Sequence, residues 1–312
     1  MHKKTSKESG VSEDSDVINQ LSTMGDFVRW GASRFNEAGL TFGHGTDNAL
    51  DESFYLVTCA LHLPHDIPPY MVETKLSQKE KMTVSELLNK RVSTRLPAAY
   101  LTHEAWFAGV PFYVDERVLV PRSPIAELIE SGYEPWIDAS RVEDILDLCT
   151  GCGCIAIASA LAFPDARVDA TDLSTDALQV AQQNVKRHHV EDQLGLYEGD
   201  LFQGLDGRRY DVIVSNPPYV DAEDMSNLPE EYLHEPELAL AAGKDGLDIV
   251  RRILKQAGSY LKPGGILIVE VGNSAAALID AYPEAPFTWL EFERGGFGVF
   301  LLTEEQVNQS QF

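Results

Sequence analysis

ILDLCTGCGCIAIA, residues 145–158, sets the reading of this chain. An apolar run, Ile145–Cys149, has the length and composition of a buried strand. Thr150, Gly151, Cys152 and Gly153 follow, and a second apolar stretch, Ile155–Phe163, has helical length. Small residues at a strand-to-helix turn let a ligand approach the backbone, and the helix start offers free N–H groups. The turn suits a dinucleotide or another adenosine cofactor. It lacks the third glycine of G-x-G-x-x-G, so alone it is weak evidence. Cys149, Cys152 and Cys154 have spacing compatible with metal ligation. A metal would obstruct the cradle, which favours small-residue packing and no metal.

Outward from this turn the pattern alternates. Strand-like runs recur at Arg167–Leu173, Leu194–Tyr197, Tyr210–Ser215 and Gly265–Val271, separated by helical stretches Thr175–His188 and Leu247–Leu261. Thr288–Glu293 and Gly298–Thr303, split by Gly295-Gly296, suit a closing hairpin. Such alternation predicts an α/β fold, a mostly parallel sheet covered by helices on both faces. Ligands of such sheets bind at the carboxyl ends of strands, and four features fall there in order. The glycine turn is the first. Asp172, about twenty residues on, is placed for ribose hydroxyls. Asp200, with Leu201 and Phe202, suits an adenine amino group and the ring face. Asn216-Pro217-Pro218-Tyr219 ends the fourth strand. There an amide oxygen, two prolines that force the chain out of the sheet and an aromatic face suit a flat –NH2 group. A plain Pro-Pro turn is the alternative for the tetrapeptide alone.

Before the sheet, three helices are expected: Val17–Ala38, Ser53–Leu63 and Ser77–Arg95. His44, in the turn-rich segment 43–48, reads as a structural loop histidine. Trp106–Arg122 suggests a hairpin turning at Val114–Arg117. The expected domains are a disordered tail at 1–16, a helical substrate-recognition domain at 17–98, a hairpin connector at 99–122 and a cofactor-binding domain at 123–312.

Of 312 residues, 44% are hydrophobic and 24% charged, as in soluble globular proteins. No apolar run has membrane-spanning length, and the polar amino terminus lacks a secretory h-region, so a cytoplasmic protein is expected. The formal charge is −24, of which residues 101–312 carry −22. That balance disfavours a phosphate backbone and favours a basic protein partner, unless it serves solubility alone. Asp221–Glu237 holds seven acidic residues without Lys or Arg. It reads either as a recruiting lip or as a solvated loop.

With these residues in view, the chain resembles the class I S-adenosylmethionine-dependent methyltransferases, whose sheet has seven strands. More narrowly, it resembles the protein-glutamine N(5)-methyltransferases, whose hallmark is Asn-Pro-Pro-Tyr after the fourth strand. GHGTDN at 43–48, AYLTHEAWFAG at 99–109, FYVDERVLVPRSPIAELI at 112–129, HEPELALAAGKDGLD at 234–248 and EVGNS at 270–274 look like the branch acting on a ribosomal protein. The resemblance implies S-adenosyl-L-methionine as cofactor and, as substrate, a glutamine in the basic third protein of the large (50S) ribosomal subunit. Asp147, Thr150, Gly151 and Gly153 match the first cofactor motif, Asp172 the ribose acid, and Asp200 and Leu201 the adenine side. Asn216, Pro217, Pro218 and Tyr219 match the substrate-amide clamp, with Asn216 also near the methyl donor. Catalysis would rest on Asn216, Pro217 and Tyr219. Cys152 departs from the Ser or Thr expected there, but leaves the backbone role intact.

Three rivals remain at this stage. A release-factor glutamine methyltransferase differs in having Gly at Cys149. An adenine N(6) methyltransferase of nucleic acid shares the tetrapeptide but conflicts with the acidic balance. A non-catalytic assembly factor would not need an intact Asn216.

Overall fold

The computed structural model describes residues 17–312; the tail expected at 1–16 lies outside the described residues. The chain divides into two compact units, one ending at Thr102 and one running His103–Phe312.

The first unit is helical. The helix expected from Val17 is interrupted: residues 17–20 are helical, the chain breaks at 21–23, and helix α1 (Met24–Glu37) starts anew where Thr23 forms a capping box. Its hydroxyl accepts from the Asp26 N–H at 3.2 Å, while the Asp26 carboxylate accepts from the Thr23 N–H at 2.9 Å. Helix α2 (Ala49–Ala60) starts four residues earlier than read, since the Asn48 side chain caps Leu50 and Asp51. Helix α3 (Gln78–Thr94) matches its expected span, and a short α4 (Ala98–Thr102) follows. Phe27, Phe35, Leu56, Val84 and Leu88 form the unit's core. Within it lies a buried ion pair, Arg91 Nε to Glu52 Oε1, at 2.7 Å. Thr46 also donates to Glu52, and buried His44 acts electrostatically on the same carboxylate. The 43–48 turn is thus folded over a charge pair.

The second unit opens with a hairpin, β1 (Ala105–Phe107) and β2 (Val110–Phe112). Its turn is Ala108-Gly109, not Val114–Arg117 as the sequence suggested. Both turn residues are left-handed (φ 46° and 75°), the conformation whose twist matches two antiparallel strands. At 114–117 the Asp115 carboxylate instead captures the Arg117 N–H and guanidinium and the Tyr113 hydroxyl, which makes a local turn without strand pairing.

Seven strands form the main sheet: β3 (Asp144–Leu148), β4 (Arg167–Asp172), β5 (Leu194–Glu198), β6 (Tyr210–Ser215), β7 (Leu261–Glu270), β8 (Thr288–Trp289) and β9 (Val299–Thr303). Their order is β5-β4-β3-β6-β7-β9-β8. The first five are parallel, and β9 and β8 add antiparallel pairings at one edge. The order reverses direction between β3 and β6, the place where open α/β sheets leave a crevice at the strand ends. The helices of this unit are α5 (Ile125–Glu130), α6 (Cys154–Ala162), α7 (Thr175–His188), α8 (Ala222–Ser226), α9 (Asp248–Ala257), α10 (Ala275–Ala281) and α11 (Glu304–Gln309). Strand residues Leu146, Leu148, Ile213, Leu267, Val269 and Phe300 are buried with Val250, Ile253 and Leu254 of α9. Near-continuous apolar strands of this kind belong to sheets covered on both faces. No helix of the described residues is long and apolar enough to cross a membrane.

Candidate active site

The turn after β3 is built from left-handed residues: Cys149 (φ 59°), Gly151 (56°) and Gly153 (82°). The two glycines serve different ends. A Cβ on Gly151 would meet open space in the cleft, so its hydrogen leaves room for a ligand. A Cβ on Gly153 would lie 3.2 Å from the Ala181 Cβ, so this glycine lets α6 and α7 approach. Asp147 is fully buried beneath the turn. Its Oδ2 accepts from the Thr150 hydroxyl at 2.5 Å and the Ala156 N–H at 3.2 Å, while Oδ1 has no partner. Burial pushes this carboxyl up to about 7, with those two hydrogen bonds opposing it.

Asp172, at the end of β4, locks onto the same turn. Its oxygens accept from the Gly151 and Ser174 N–H groups, each at 2.8 Å. One acceptor position per oxygen remains, enough for a pair of hydroxyls. Asn184 of α7 braces the turn from behind, donating to the Cys152 and Tyr113 carbonyls and accepting from the Tyr113 N–H.

A cleft of about 1130 Å³, including its open mouth, runs along these strand ends. Thr150, Gly151, Asp172, Asp200, Leu201, Asn216 and Pro218 line it. Asp147, Gly153, Pro217 and Tyr219 support it without lining it. Phe202, expected to cover a ring beside Leu201, does not reach the cleft. It is buried in the core and stacks on Tyr260 at 4.5 Å; Ile249 and Leu173 supply apolar wall instead. Asp200 is ion-paired with Arg252 at 2.7 Å through one oxygen.

At the end of β6 the Ser215 hydroxyl donates to the Leu148 carbonyl at 2.8 Å, fixing where Asn216 leaves the sheet. The Asn216 Oδ1 is buried and has no hydrogen-bond partner. Leaving such an acceptor unmet costs about 1–3 kcal/mol, so it marks a place for a donor. Tyr219 donates its hydroxyl to Glu270 Oε1 at 3.1 Å, and its carbonyl accepts from Ser274.

One wall was not legible as such in the sequence. Residues 117–123 form a strap lining the cleft with Arg117, Val118, Leu119, Pro121, Arg122 and Ser123. The available signal was a pair of arginines in a half of the chain that carries −22. The Asp221–Glu237 segment also divides in a way its composition does not reveal. Glu231 and Glu235 are buried, and Asp221 caps α8, while Glu223, Glu230 and Glu237 are exposed. Cys149, Cys152 and Cys154 all line the cleft, and the buried Cys152 and Cys154 also touch each other. Among the described residues, no group of three or more His, Cys, Asp or Glu side chains is placed to hold a metal.

This sheet order, with a glycine turn, Asp172 and the unmet Asn216 acceptor gathered at the strand ends, is that of a class I methyltransferase. Residues 135–279 match the family described as Methyltransferase small domain. The chain is 54% identical over 292 residues to the ribosomal protein uL3 glutamine methyltransferase of Neisseria gonorrhoeae, covering 93% of this chain and 97% of that protein. The enzyme of the same description from Neisseria meningitidis serogroup B is equally similar, at 54% over 93% of this chain and 96% of its own length. The chain belongs to the ribosomal protein uL3 glutamine methyltransferase family.

Proposed function

We propose that the protein transfers a methyl group from S-adenosyl-L-methionine to the side-chain amide nitrogen N(5) of a glutamine in the large-subunit ribosomal protein uL3. The observation that carries this reading is the buried, unpartnered Asn216 Oδ1, at the head of Asn216–Tyr219 and beside the glycine cradle. Its acceptor matches an amide N–H, as an ionised carboxylate, which only accepts, would not.

The residues present fit the cofactor. Thr150 and Gly151 leave space beside the backbone, Asp172 retains acceptor capacity for ribose hydroxyls, and Asp200 and Leu201 suit the adenine. The cofactor supplies an activated methyl on a sulfonium sulfur. What the chain contributes is positioning. The Asn216 Oδ1 and the Pro217 carbonyl accept the two amide hydrogens and orient the nitrogen. The same acceptors stabilise the positive charge that develops on it. Pro218 forms the wall, and Tyr219 completes the clamp. No general base is required, because the alkylated amide loses its extra proton readily. Glu270, the nearby carboxylate, is engaged by Ser123 and Tyr219.

The helical unit is assigned to substrate recognition and the exposed acids to attraction of a basic protein in the cytoplasm, without nucleic-acid contact. The test is direct. Incubate the protein and methyl-labelled cofactor with ribosomal proteins from an unmethylated strain, then map the label by mass spectrometry. Label on a uL3 glutamine is expected. Label on a release factor, or on no protein, overturns the reading.

A further inference from the structure

Glu270 ends β7 and is 6% exposed, yet it is no part of the transfer chemistry above. Its two oxygens accept hydrogen bonds from two separate segments, the strap that lines the cleft and Tyr219 behind it. Oε2 takes the Ser123 hydroxyl at 2.5 Å, from the strap; Oε1 takes the Tyr219 hydroxyl at 3.1 Å, from the clamp. Ser123 is itself fixed, since its oxygen accepts the Ile125 N–H at the start of α5.

The next four residues complete a seat for the tyrosine. A Cβ at Gly272 would fall 2.6 Å from the Tyr219 ring carbon Cε2, so the ring rests against that glycine's backbone. The Ser274 hydroxyl donates to the Tyr219 carbonyl at 2.7 Å. The seat is rigid because the Val271 and Gly272 N–H groups both donate to the Gly298 carbonyl, just before β9. The 270–274 segment thus touches Tyr219 at its hydroxyl, its ring and its backbone.

Resting on the reading of Asn216–Tyr219 as an amide clamp, we propose that Glu270 is a positioning residue for methyl transfer. It sets the Tyr219 ring and couples the strap to the clamp, so that the target amide is held at one depth. An apolar side chain of similar size would fill the volume without costing the desolvation of a carboxyl group. The carboxyl is therefore explained by the two hydroxyls it orders. Misplacing a reacting group by an ångström costs up to about a hundredfold in rate.

The test compares Glu270→Leu, Glu270→Gln, Tyr219→Phe and the Glu270→Leu/Tyr219→Phe double variant with wild type, using uL3 and labelled cofactor. Glu270→Leu should lower kcat at least about tenfold, with cofactor Kd unchanged. Glu270→Gln, which keeps a carbonyl acceptor for the phenol, should restore most of kcat. Tyr219→Phe breaks only the clamp side and should lose no more than Glu270→Leu, which breaks both bonds, and the double variant should lose no more than Glu270→Leu alone. Wild-type kcat in Glu270→Leu, or losses that multiply in the double variant, overturns the proposal. So does a Glu270→Leu protein that has lost cofactor binding along with kcat. If wild-type protein labels no glutamine, the clamp reading falls and this proposal with it. If wild type labels uL3 and Glu270→Leu does so equally, only the role of Glu270 falls.

Discussion

Arg122 holds Glu235 through a two-point ion pair, its guanidinium nitrogens 2.6 and 2.8 Å from the two carboxylate oxygens. Glu235 is fully buried in its side chain and also accepts the Val120 N–H at 3.0 Å. Arg122 lies over the Tyr232 ring as well, at 5.4 Å. One carboxylate from the acidic segment thus anchors the strap that walls the cleft. Removing only the arginine leaves a buried charge unmatched, which costs about 3–5 kcal/mol. Arg122→Met should therefore lower stability on that scale in urea unfolding. Arg122→Met/Glu235→Met should recover much of the loss. A double variant no more stable than the single one would count against the pairing.

The Asn216 acceptor is unmet in the protein, so removing it leaves no other group stranded. Asn216→Ala should abolish methyl transfer while the cofactor dissociation constant, read by calorimetry, stays within a small factor. Wild-type turnover in this variant would refute the clamp.

Gly151 and Gly153 should separate in mutation. Both have positive φ, so alanine at either costs about 1 kcal/mol in backbone strain. Gly153→Ala also crowds the Ala181 Cβ at 3.2 Å, so α6 and α7 must ease apart and stability should fall further. Gly151→Ala meets nothing in the protein, but enters the cleft and should weaken cofactor binding instead. Equal thermal shifts for the two would contradict this division.

Asp147 links stability to pH. Its carboxyl is raised from 3.8 to about 7, chiefly by burial. For an acid raised in the folded state, the contribution is full below the unfolded value of 3.8 and is lost as pH rises through about 7. Wild type should thus lose stability relative to Asp147→Asn as pH rises from about 4 towards about 7, by up to about 1.4 kcal/mol per pH unit, and level off above that. Urea midpoints of the two proteins that track each other across this range would exclude the effect.

Long-range attraction should come from the exposed acids Glu223, Glu230 and Glu237 rather than the buried Glu231 and Glu235. Methylation of a basic substrate at subsaturating concentration should slow as salt rises, because screening shortens the field to about 10 Å at 0.1 M. Reversing Glu223 and Glu230 to Lys should flatten that dependence. A rate indifferent to salt in wild type would remove the lip from recruitment.

The mostly parallel seven-stranded sheet was legible in the chain itself, as was the placing of the Gly151 turn, Asp172 and Asn216 at strand ends. Each is recorded locally: alternation of strand and helix periods marks the sheet, and Gly151, Asp172 and Asn216 lie at or just after the end of an apolar strand. The helix starts at Met24 and Ala49 were misjudged by a few residues, where capping by Thr23 and Asn48 decided the boundary over apolar spacing. The 114–117 turn misled because Asp115 competes locally for the backbone.

What only the tertiary structure decided are pairings across great sequence distance. Ser123 meets Glu270 across 147 positions, and Arg122 meets Glu235 across 113. Periodicity reports which face of an element is buried, not which distant element buries it. A charged residue in an acidic loop therefore looks the same whether it faces water or is buried against a distant guanidinium. The sequence by itself determined the sheet and which residues stand at its strand ends. The wall opposite them, and the carboxylates that hold it, came from the packing of segments more than a hundred residues apart.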